Sequence, residues 1–301
     1  MNLFKRLFFD FDTIADNCTK VMGMNQRNLE YVYPNNPRSA FAYANDKMLT
    51  KQSLQAVGLS VPKTFISVRY FYELQRIEPE LRQLTGFVIK PASGSGGNGI
   101  IVIKGYEDDH WISVSGQLYT LEKIRKHIAD IIFGVFSFGL NDCAIIEERI
   151  EQHEYITALS PLGLADIRMI NYKGKNVKAM LRIATKASDG KANLHQGGIG
   201  VAIDLLSGRS FAAQIARENV EVHPDTGISL IDVQIPFFKE ILALCEATAQ
   251  VIPLGYLGID IALGVDGPVV LEVNARPGIE IQNISDEGLI VPLESVDRDY
   301  L

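Results

Sequence analysis

Two apolar stretches joined by a short polar turn constrain this chain more than any other feature. Residues 255–263 read Gly-Tyr-Leu-Gly-Ile-Asp-Ile-Ala-Leu, residues 269–275 read Val-Val-Leu-Glu-Val-Asn-Ala, and Val265-Asp266-Gly267 lies between them. Strand-forming residues on either side of a turn that ends in glycine predict a β-hairpin. A three-residue loop over Val265, Asp266 and Gly267 sets Gly264 against Pro268, Ile261 against Leu271 and Ile259 against Val273, and one face is then wholly apolar. The same register places Asp260 opposite Glu272, with Asn274 two residues along that face. A two-residue loop would shift the register by one and pair Ile261 with Glu272, which burial disfavours.

Two carboxylates facing each other across a sheet repel. A hard cation with oxygen ligands removes the objection, and two acids plus an amide suit Mg²⁺, with Mn²⁺ as the alternative. Without a cation the same residues make a solvated polar face. A second hairpin repeats the pattern with opposite sign: residues 166–170 run through the turn at 172–175 and return over 177–183. Keeping Ile167, Met169, Leu181 and Ile183 on one face brings Arg168 and Arg182 near each other on the other. Paired guanidiniums suit a phosphoryl or carboxylate clamp, because each offers a planar fork of donors; a solvated basic edge is the plain alternative.

The remaining composition narrows the class. With 301 residues, the chain is long enough for about two domains. Lys and Arg number 29 against 36 Asp and Glu, so no overall basic field exists to hold a nucleic-acid backbone. Cys18, Cys143 and Cys245 are far apart and form no CxxC pair, which fits a reducing compartment. Residues 128–140, the most apolar run, contain Asp130 and fall well short of the roughly 20 residues of a membrane-spanning helix. Lys5 and Arg6 are followed by too brief an apolar run for a signal peptide, so the expected location is cytoplasmic.

Along the chain, Asp46 or Asn45 caps a helix expected over 46–57 and Gly58 stops it. Residues 87–90 and 100–103 read as strands, with Ser93-Gly94-Ser95-Gly96-Gly97-Asn98-Gly99 between them, and 121–133 and about 236–252 read as helices. Tyr31 to Pro37, with two prolines and two asparagines, predicts a turn or an extended arm. Strands and helices alternate without a regular βαβ beat, so the expected class is α+β in two lobes. The glycine string matches a dinucleotide fingerprint literally, but that fingerprint opens a helix and here a β-branched strand follows. Ile100-Ile101 stand where a Walker loop needs Lys-Ser/Thr, and no kinase catalytic loop follows. What survives is a glycine hairpin whose backbone N–H groups approach phosphate closely, with Lys90 at its base; a surface hairpin is the alternative.

Taken in order, Asn45-Asp46-Lys47, then Val88-Ile89-Lys90-Pro91 with the glycine loop, then Ile145-Ile146-Glu147-Glu148-Arg149-Ile150, then Asn193-Leu194-His195-Gln196-Gly197-Gly198, then Gly258-Ile259-Asp260 and Leu271-Glu272-Val273-Asn274-Ala275-Arg276-Pro277-Gly278 resemble the ATP-grasp superfamily. Within it the chain is most similar to RimK-type ligases of the alpha-L-glutamate ligase-like group. The resemblance implies an ATP-grasp fold: a first lobe over 46–148, a second over 149–301 and ATP between them. Residues 1–45 stand as a short N-terminal arm in place of the full domain usual in these ligases. It implies that Lys47 and Lys90 touch phosphates, that Ser95, Gly96 and Gly97 close over them, and that Glu147, Glu148, Arg149 and Ile150 form the adenine hinge. Glu154 would accept from the ribose, and Asp260, Glu272 and Asn274 would hold one or two Mg²⁺. Arg182 and Asn193 would hold the γ-phosphate and the acyl phosphate, with Arg168 and His195 as further substrate contacts.

Where RimK-type ligases usually carry Arg-Ser-Asn, this chain has Lys191-Ala192-Asn193, which keeps a charge near ATP but loses the planar fork. Arg276 stands where they often have serine. The resulting Glu-x-Asn-x-Arg string is similar to the carboxyphosphate-using branch of the superfamily, which implies a role for Arg276 at the acyl intermediate. The function so implied is ATP-dependent carboxylate–amine ligation through an acyl phosphate, joining glutamate or a similar amino acid to a peptide or protein, in a chain that is a candidate homo-oligomer. A regulatory nucleotide-binding protein or a small-molecule kinase on the same fold is the alternative. Residues 8–13 also resemble the Asp-x-Asp of haloacid-dehalogenase phosphatases, but that family's glycine before the threonine and its long preceding strand are missing.

Overall fold

The computed structural model describes residues 20–94 and 96–299; the Asp10–Asp12 motif, Cys18 and Ser95 lie outside them. The described residues form two compact units, one over 45–151 and a second made of 152–299 together with 20–44.

In the first unit, β1 (Thr64–Val68), β2 (Phe87–Pro91), β3 (Ile101–Glu107), β4 (His110–Ser113), β5 (Leu118–Tyr119) and β6 (Ala144–Glu148) form one antiparallel sheet. Its strand order is β1-β6-β2-β3-β4-β5. Helix α1 (Lys47–Gln55) begins where Asp46 accepts the free N–H groups of Met48 and Leu49 at 2.8 and 3.3 Å, and the chain leaves it through Gly58 at φ +78°. Helix α2 (Leu121–Ile132) is capped by Thr120 and buries Ile124, Ile128, Ile131 and Ile132, the spacing of one helical face. That stripe packs on Phe87, Ile89, Ile103 and Trp111 of the sheet, all removed from water.

The second unit holds β7 (Asp166–Tyr172), β8 (Lys175–Ile183), β9 (Ile199–Ile203), β10 (Ser210–Ile215), β11 (Glu218–Asn219), β12 (Tyr256–Gly264) and β13 (Gly267–Asn274). They form an antiparallel sheet in the order β11-β10-β9-β8-β7-β12-β13. Before β7 comes the short α3 (Glu154–Leu159); after β11, α4 (Phe238–Val251) packs on β7, β8, β12 and β13, and α5 (Ile290–Asp299) closes the described chain. Among the described residues no helix is long and apolar enough to cross a membrane.

The β12–β13 hairpin corrects the expected turn while keeping the expected pair. Gly264 faces Gly267, so the loop is the two residues Val265 and Asp266, and Ile261 faces Val270 rather than Leu271. A bulge at Leu271 then adds one residue to β13, restoring Asp260 opposite Glu272 and Ile259 opposite Val273. The apolar face thus keeps its burial although the turn is one residue shorter than its glycine indicates.

Residues 31–37 also differ from expectation. They are not an extended arm: a π-helical turn over Arg27–Val32 leads into Tyr33–Asn35. The wider π turn lets Pro34, which has no N–H to give, follow without breaking the helix. Tyr31 and Val32 enter the core with Tyr172, Tyr256 and Ile281. Asn36, almost fully buried, accepts the Tyr256 N–H at 2.9 Å and donates to the carbonyls of Tyr256 and Ala275 at 2.7 and 3.1 Å. One amide therefore stitches the N-terminal residues to β12 and to the exit of β13. Asn36→Ala leaves these buried backbone groups without a partner and should cost about 2–4 kcal/mol, read as a lower urea midpoint at unchanged slope.

Candidate functional site

The seven-stranded sheet gathers five of the expected residues on one face. β12 lies between β7 and β13, and Asp260 is directly opposite Arg168 on one side and Glu272 on the other. Arg168 grips Asp260 in a two-pronged ion pair, Nε to Oδ1 and Nη2 to Oδ2, the latter at 2.7 Å. Arg182, one strand further, faces Asp166 and holds it at 2.5 and 2.7 Å, while its Nη2 also reaches Asp260 Oδ2 at 2.9 Å. Arg168 and Arg182 are thus close, as the second hairpin's pattern predicts, and the acid they share is the chain's own. Asn274 donates its amide N–H to Asp260 Oδ2 at 3.4 Å.

Electrostatics explains how Asp260 tolerates a site that is only 2% exposed. Burial pushes its carboxyl up, but Arg168 and Arg182 outweigh burial and hold it well below the usual carboxylate range. Asp166, half-buried, is pushed up by desolvation and by Asp260, and Arg182 recovers only part of that rise.

The donor set fits a hard divalent cation. Asp260 and Glu272 present carboxylates, and Asn274 spends its N–H on Asp260, so its oxygen is the atom left to coordinate. Asp260 would share its oxygens between the cation and the guanidiniums. Among the described residues no group of three or more His, Cys, Asp or Glu gathers to hold a metal, at this face or any other, so the third ligand here would be the Asn274 amide.

Arg276 lies just beyond β13, exposed, with its guanidinium carbon 5.4 Å from the Tyr33 ring centre and 5.0 Å from that of Phe41. Asn193 caps a short 3₁₀ turn, its side-chain oxygen accepting the His195 N–H at 3.0 Å, so that oxygen shapes the loop. Lys191 and His195 are exposed on the same loop, and His195 Nε2 lies 3.4 Å from Glu280. The contacts of Asn193, Lys191 and His195 do not include the Asp260 face.

In the six-stranded unit, the loop between β2 and β3 has the expected form. Gly96, Gly97 and Gly99 adopt φ of +66°, +75° and +76°, and a Cβ on Gly99 would lie 2.6 Å from the Phe136 ring. Lys47 donates its ammonium to the Gly94 carbonyl at 2.7 Å and its backbone N–H to Ala92 at 3.1 Å, tying the start of α1 to the loop. Lys90 and Glu147 are diagonal neighbours on β2 and β6, and Glu147 bridges Lys90 and Lys51 at 2.5 Å each. All three are buried. Two ammoniums share one carboxylate, so the trio carries net positive charge at the foot of the glycine loop; burial lowers the Lys51 ammonium despite Glu147.

Downstream of Glu147, Glu148 is exposed and accepts the Lys63 N–H at 3.2 Å, and Ile150 is half-buried. Arg149 lies 3.9 Å from Glu151. Glu154 is exposed at the first turn of α3 in the second unit.

Four residues were not singled out from sequence. Lys51 is one helical turn after Lys47, and Asp166 alternates with Arg168, so both carried a periodic signal. Asp142 and His127 carried none. Asp142 accepts the Ser93 N–H with both oxygens at 3.1 Å, and the His127 ring nitrogen meets the Gly99 carbonyl at 2.8 Å, so the two pin the ends of the glycine loop.

Glu147→Gln leaves two buried ammoniums without a counter-charge and should cost about 3–5 kcal/mol. A large fall in melting temperature checks it, against a smaller one for Lys51→Met, which keeps the Lys90–Glu147 pair. Burial also lowers the His127 imidazole, and the Gly99 hydrogen bond restores only part of the shift. A lowered imidazole favours the neutral folded form, so its stabilisation is complete above the free value near about 6.5 and is lost as pH falls through the folded value. Hydrogen exchange at residues 96–100, corrected for intrinsic rates, should therefore accelerate on acidification, and His127→Phe should flatten that dependence.

Comparison with known proteins bears on this arrangement. A family model described as sugar-transfer associated ATP-grasp matches residues 26–298. A probable alpha-L-glutamate ligase of Thioalkalivibrio sulfidiphilus is 26% identical over 251 residues, covering 83% of this chain and 61% of that protein. A ribosomal protein bS6–L-glutamate ligase of Salmonella paratyphi B is 25% identical over 250 residues, covering 82% and 61%. The chain thus spans about three fifths of the length of these curated relatives. Among solved structures, a RimK domain ATP-grasp protein from Sphaerobacter thermophilus aligns with a TM-score of 0.48 at 13% identity, over 87% of this chain and 70% of that one. D-alanine–D-alanine ligase from Bacillus anthracis, complexed with ATP, gives 0.47 at 15% identity, over 86% and 62%. The family model, matching nearly the whole length of the chain, bears out the superfamily resemblance of the motif order: this chain belongs to the sugar-transfer-associated ATP-grasp family.

Proposed function

We propose that the protein is an ATP-dependent carboxylate–amine ligase that activates a substrate carboxylate as an acyl phosphate. The observation that carries this reading is the row Arg168–Asp260–Glu272 across β7, β12 and β13, with Arg182 and Asn274 beside it. Fixed cations and oxygen donors on one face suit phosphoryl transfer, where positioning and charge stabilisation do most of the catalysis.

In this reading the six-stranded unit holds the nucleotide. Lys47, Lys90 and the backbone of residues 95–97 take the phosphates, the net positive Lys51–Glu147–Lys90 trio favours a polyanion there, and residues 147–150 border the adenine. Glu154 and Lys191 add contacts to the ribose and the phosphates. A carboxylate oxygen of the substrate attacks the γ-phosphorus, the bond to the ADP oxygen breaks, and Arg182 and Asn193 steady the transferring group and the acyl phosphate. The amine nitrogen then attacks the acyl carbon, phosphate leaves, and the amine proton is lost, giving an amide, ADP and phosphate. Asp260, Glu272 and Asn274 would hold Mg²⁺, which when bound neutralises charge on the phosphoryl oxygens. Glutamate, joined to a peptide or protein, is the substrate class to which the names of the curated relatives lead.

Incubation with ATP, Mg²⁺, an amino-acid and peptide pool and hydroxylamine should give a hydroxamate of one carboxylate with stoichiometric ADP, identified by mass spectrometry. Glu272→Gln should lower that rate about a hundredfold without changing the fold. A phosphorylated alcohol would place the protein among kinases instead, and ATP returned unchanged with every carboxylate would refute catalysis of this kind.

A further inference from the structure

We infer that residues 27–41 form a bracket that pre-orients Arg276 to bind the carboxylate of the substrate, with Tyr33 and Phe41 as its positioning residues. The inference rests on the ligase reading above and assigns one part of its substrate recognition. Three contacts fix the backbone at Arg276. Arg27, buried, donates to the carbonyls of Pro277 at 2.7 Å and Arg276 at 3.5 Å. Asn36 holds the Ala275 carbonyl at 3.1 Å. Pro277 is buried against Gly258, where a Cβ would approach it to 2.6 Å. The side chain is fixed separately, with Tyr33 and Phe41 both within cation–π range of the guanidinium.

Commitment distinguishes Arg276 from its neighbours. Arg168 and Arg182 are occupied by Asp260 and Asp166, and Arg27 by backbone carbonyls. Arg276 is exposed and, among the described residues, has no carboxylate within ion-pairing distance. A guanidinium held over aromatic rings by cation–π attraction keeps N–H donors for a planar, two-oxygen acceptor, the geometry of a carboxylate. Those contacts also restrict rotamer freedom before the ligand arrives, so less ordering cost opposes binding. Arg276 follows Asn274 by two residues, which puts this anchor at the end of the strand that carries Glu272 and Asn274. The π turn over Arg27–Val32 serves the same end: the Tyr33 N–H closes it on the Asn28 carbonyl and fixes where the Tyr33 ring begins.

The test is hydroxamate formation with L-glutamate and with L-glutamyl-L-glutamate as carboxylates. Tyr33→Leu and Phe41→Leu should each raise the KM for the carboxylate about threefold, with the KM for ATP unchanged and kcat within about twofold. Tyr33→Phe and Phe41→Tyr should keep wild-type values. Leucine preserves apolar packing, so a merely structural role would not separate it from the aromatic exchange; Tyr33 is 51% exposed and tolerates truncation if Phe41 does not. Arg276→Met should raise the carboxylate KM about tenfold or more. An unchanged carboxylate KM in Arg276→Met, or equal rises for ATP and carboxylate in the leucine variants, would overturn the inference. Nitrogen-15 arginine NMR separates it from the ligase reading. The Arg276 side-chain resonance should carry a ring-current shift that Tyr33→Leu reduces, and it should move when L-glutamate is added. Absence of hydroxamate from the wild type would refute ligation, and an Arg276 resonance indifferent to L-glutamate would refute the bracket.

Discussion

Asp260 sits almost wholly out of water, and it stays ionised there because two guanidiniums reach it, Arg168 from the adjacent β7 and Arg182 from β8 beyond it. An isolated carboxylate at that depth would protonate or unfold its surroundings. The register of β7 against β12, the diagonal reach of Arg182 from β8, and the bulge that returns Glu272 to face Asp260 all serve this arrangement. Arg182 is held in turn by Asp166, so the acids and guanidiniums alternate and none stands alone. A face built this way is rigid before any ligand arrives, which is the condition for charge stabilisation without reorganisation.

The six-stranded unit solves a parallel problem with opposite sign. Glu147 lets two lysines be buried together, and their surplus positive charge lies where the glycine loop leaves β2. Loop and charge are mechanically joined: Lys47 holds Gly94, Asp142 holds Ser93, and His127 holds Gly99. The backbone donors of an otherwise exposed hairpin therefore have fixed ends.

Much of this was legible in the sequence. The α+β class followed from the irregular alternation of elements, and the facing of Asp260 and Glu272 followed from keeping Ile259 and Val273 on one face. The turn was read wrongly because glycine at Gly267 signals a longer loop, whereas a bulge has no local signature and the apolar pattern is satisfied either way. Burial of charge was the larger omission. Lys90 and Glu147 were each visible as motif residues, but their pairing depends on the diagonal between β2 and β6, and Lys51 joins them only because α1 presents it there. The helical course of residues 24–35 was hidden for a different reason. Pro34 and the asparagines argue for a turn, and only the π turn, stabilised by packing of Tyr31 and Val32, lets the helix absorb them.

The central claim is that a carboxylate is phosphorylated by ATP on this protein. Positional isotope exchange reads that step without a captured product. ATP labelled with heavy oxygen at the β–γ bridge is incubated with Mg²⁺ and L-glutamate or L-glutamyl-L-glutamate, in the absence of an amine acceptor, and recovered for phosphorus NMR. The bridge label should scramble into the non-bridging β positions only when a carboxylate is present, because reversible transfer frees the ADP oxygen to rotate. Recovery of unscrambled ATP with the carboxylate that yields hydroxamate would contradict an acyl-phosphate route, and equal scrambling without any carboxylate would contradict the assignment of the carboxylate as phosphoryl acceptor.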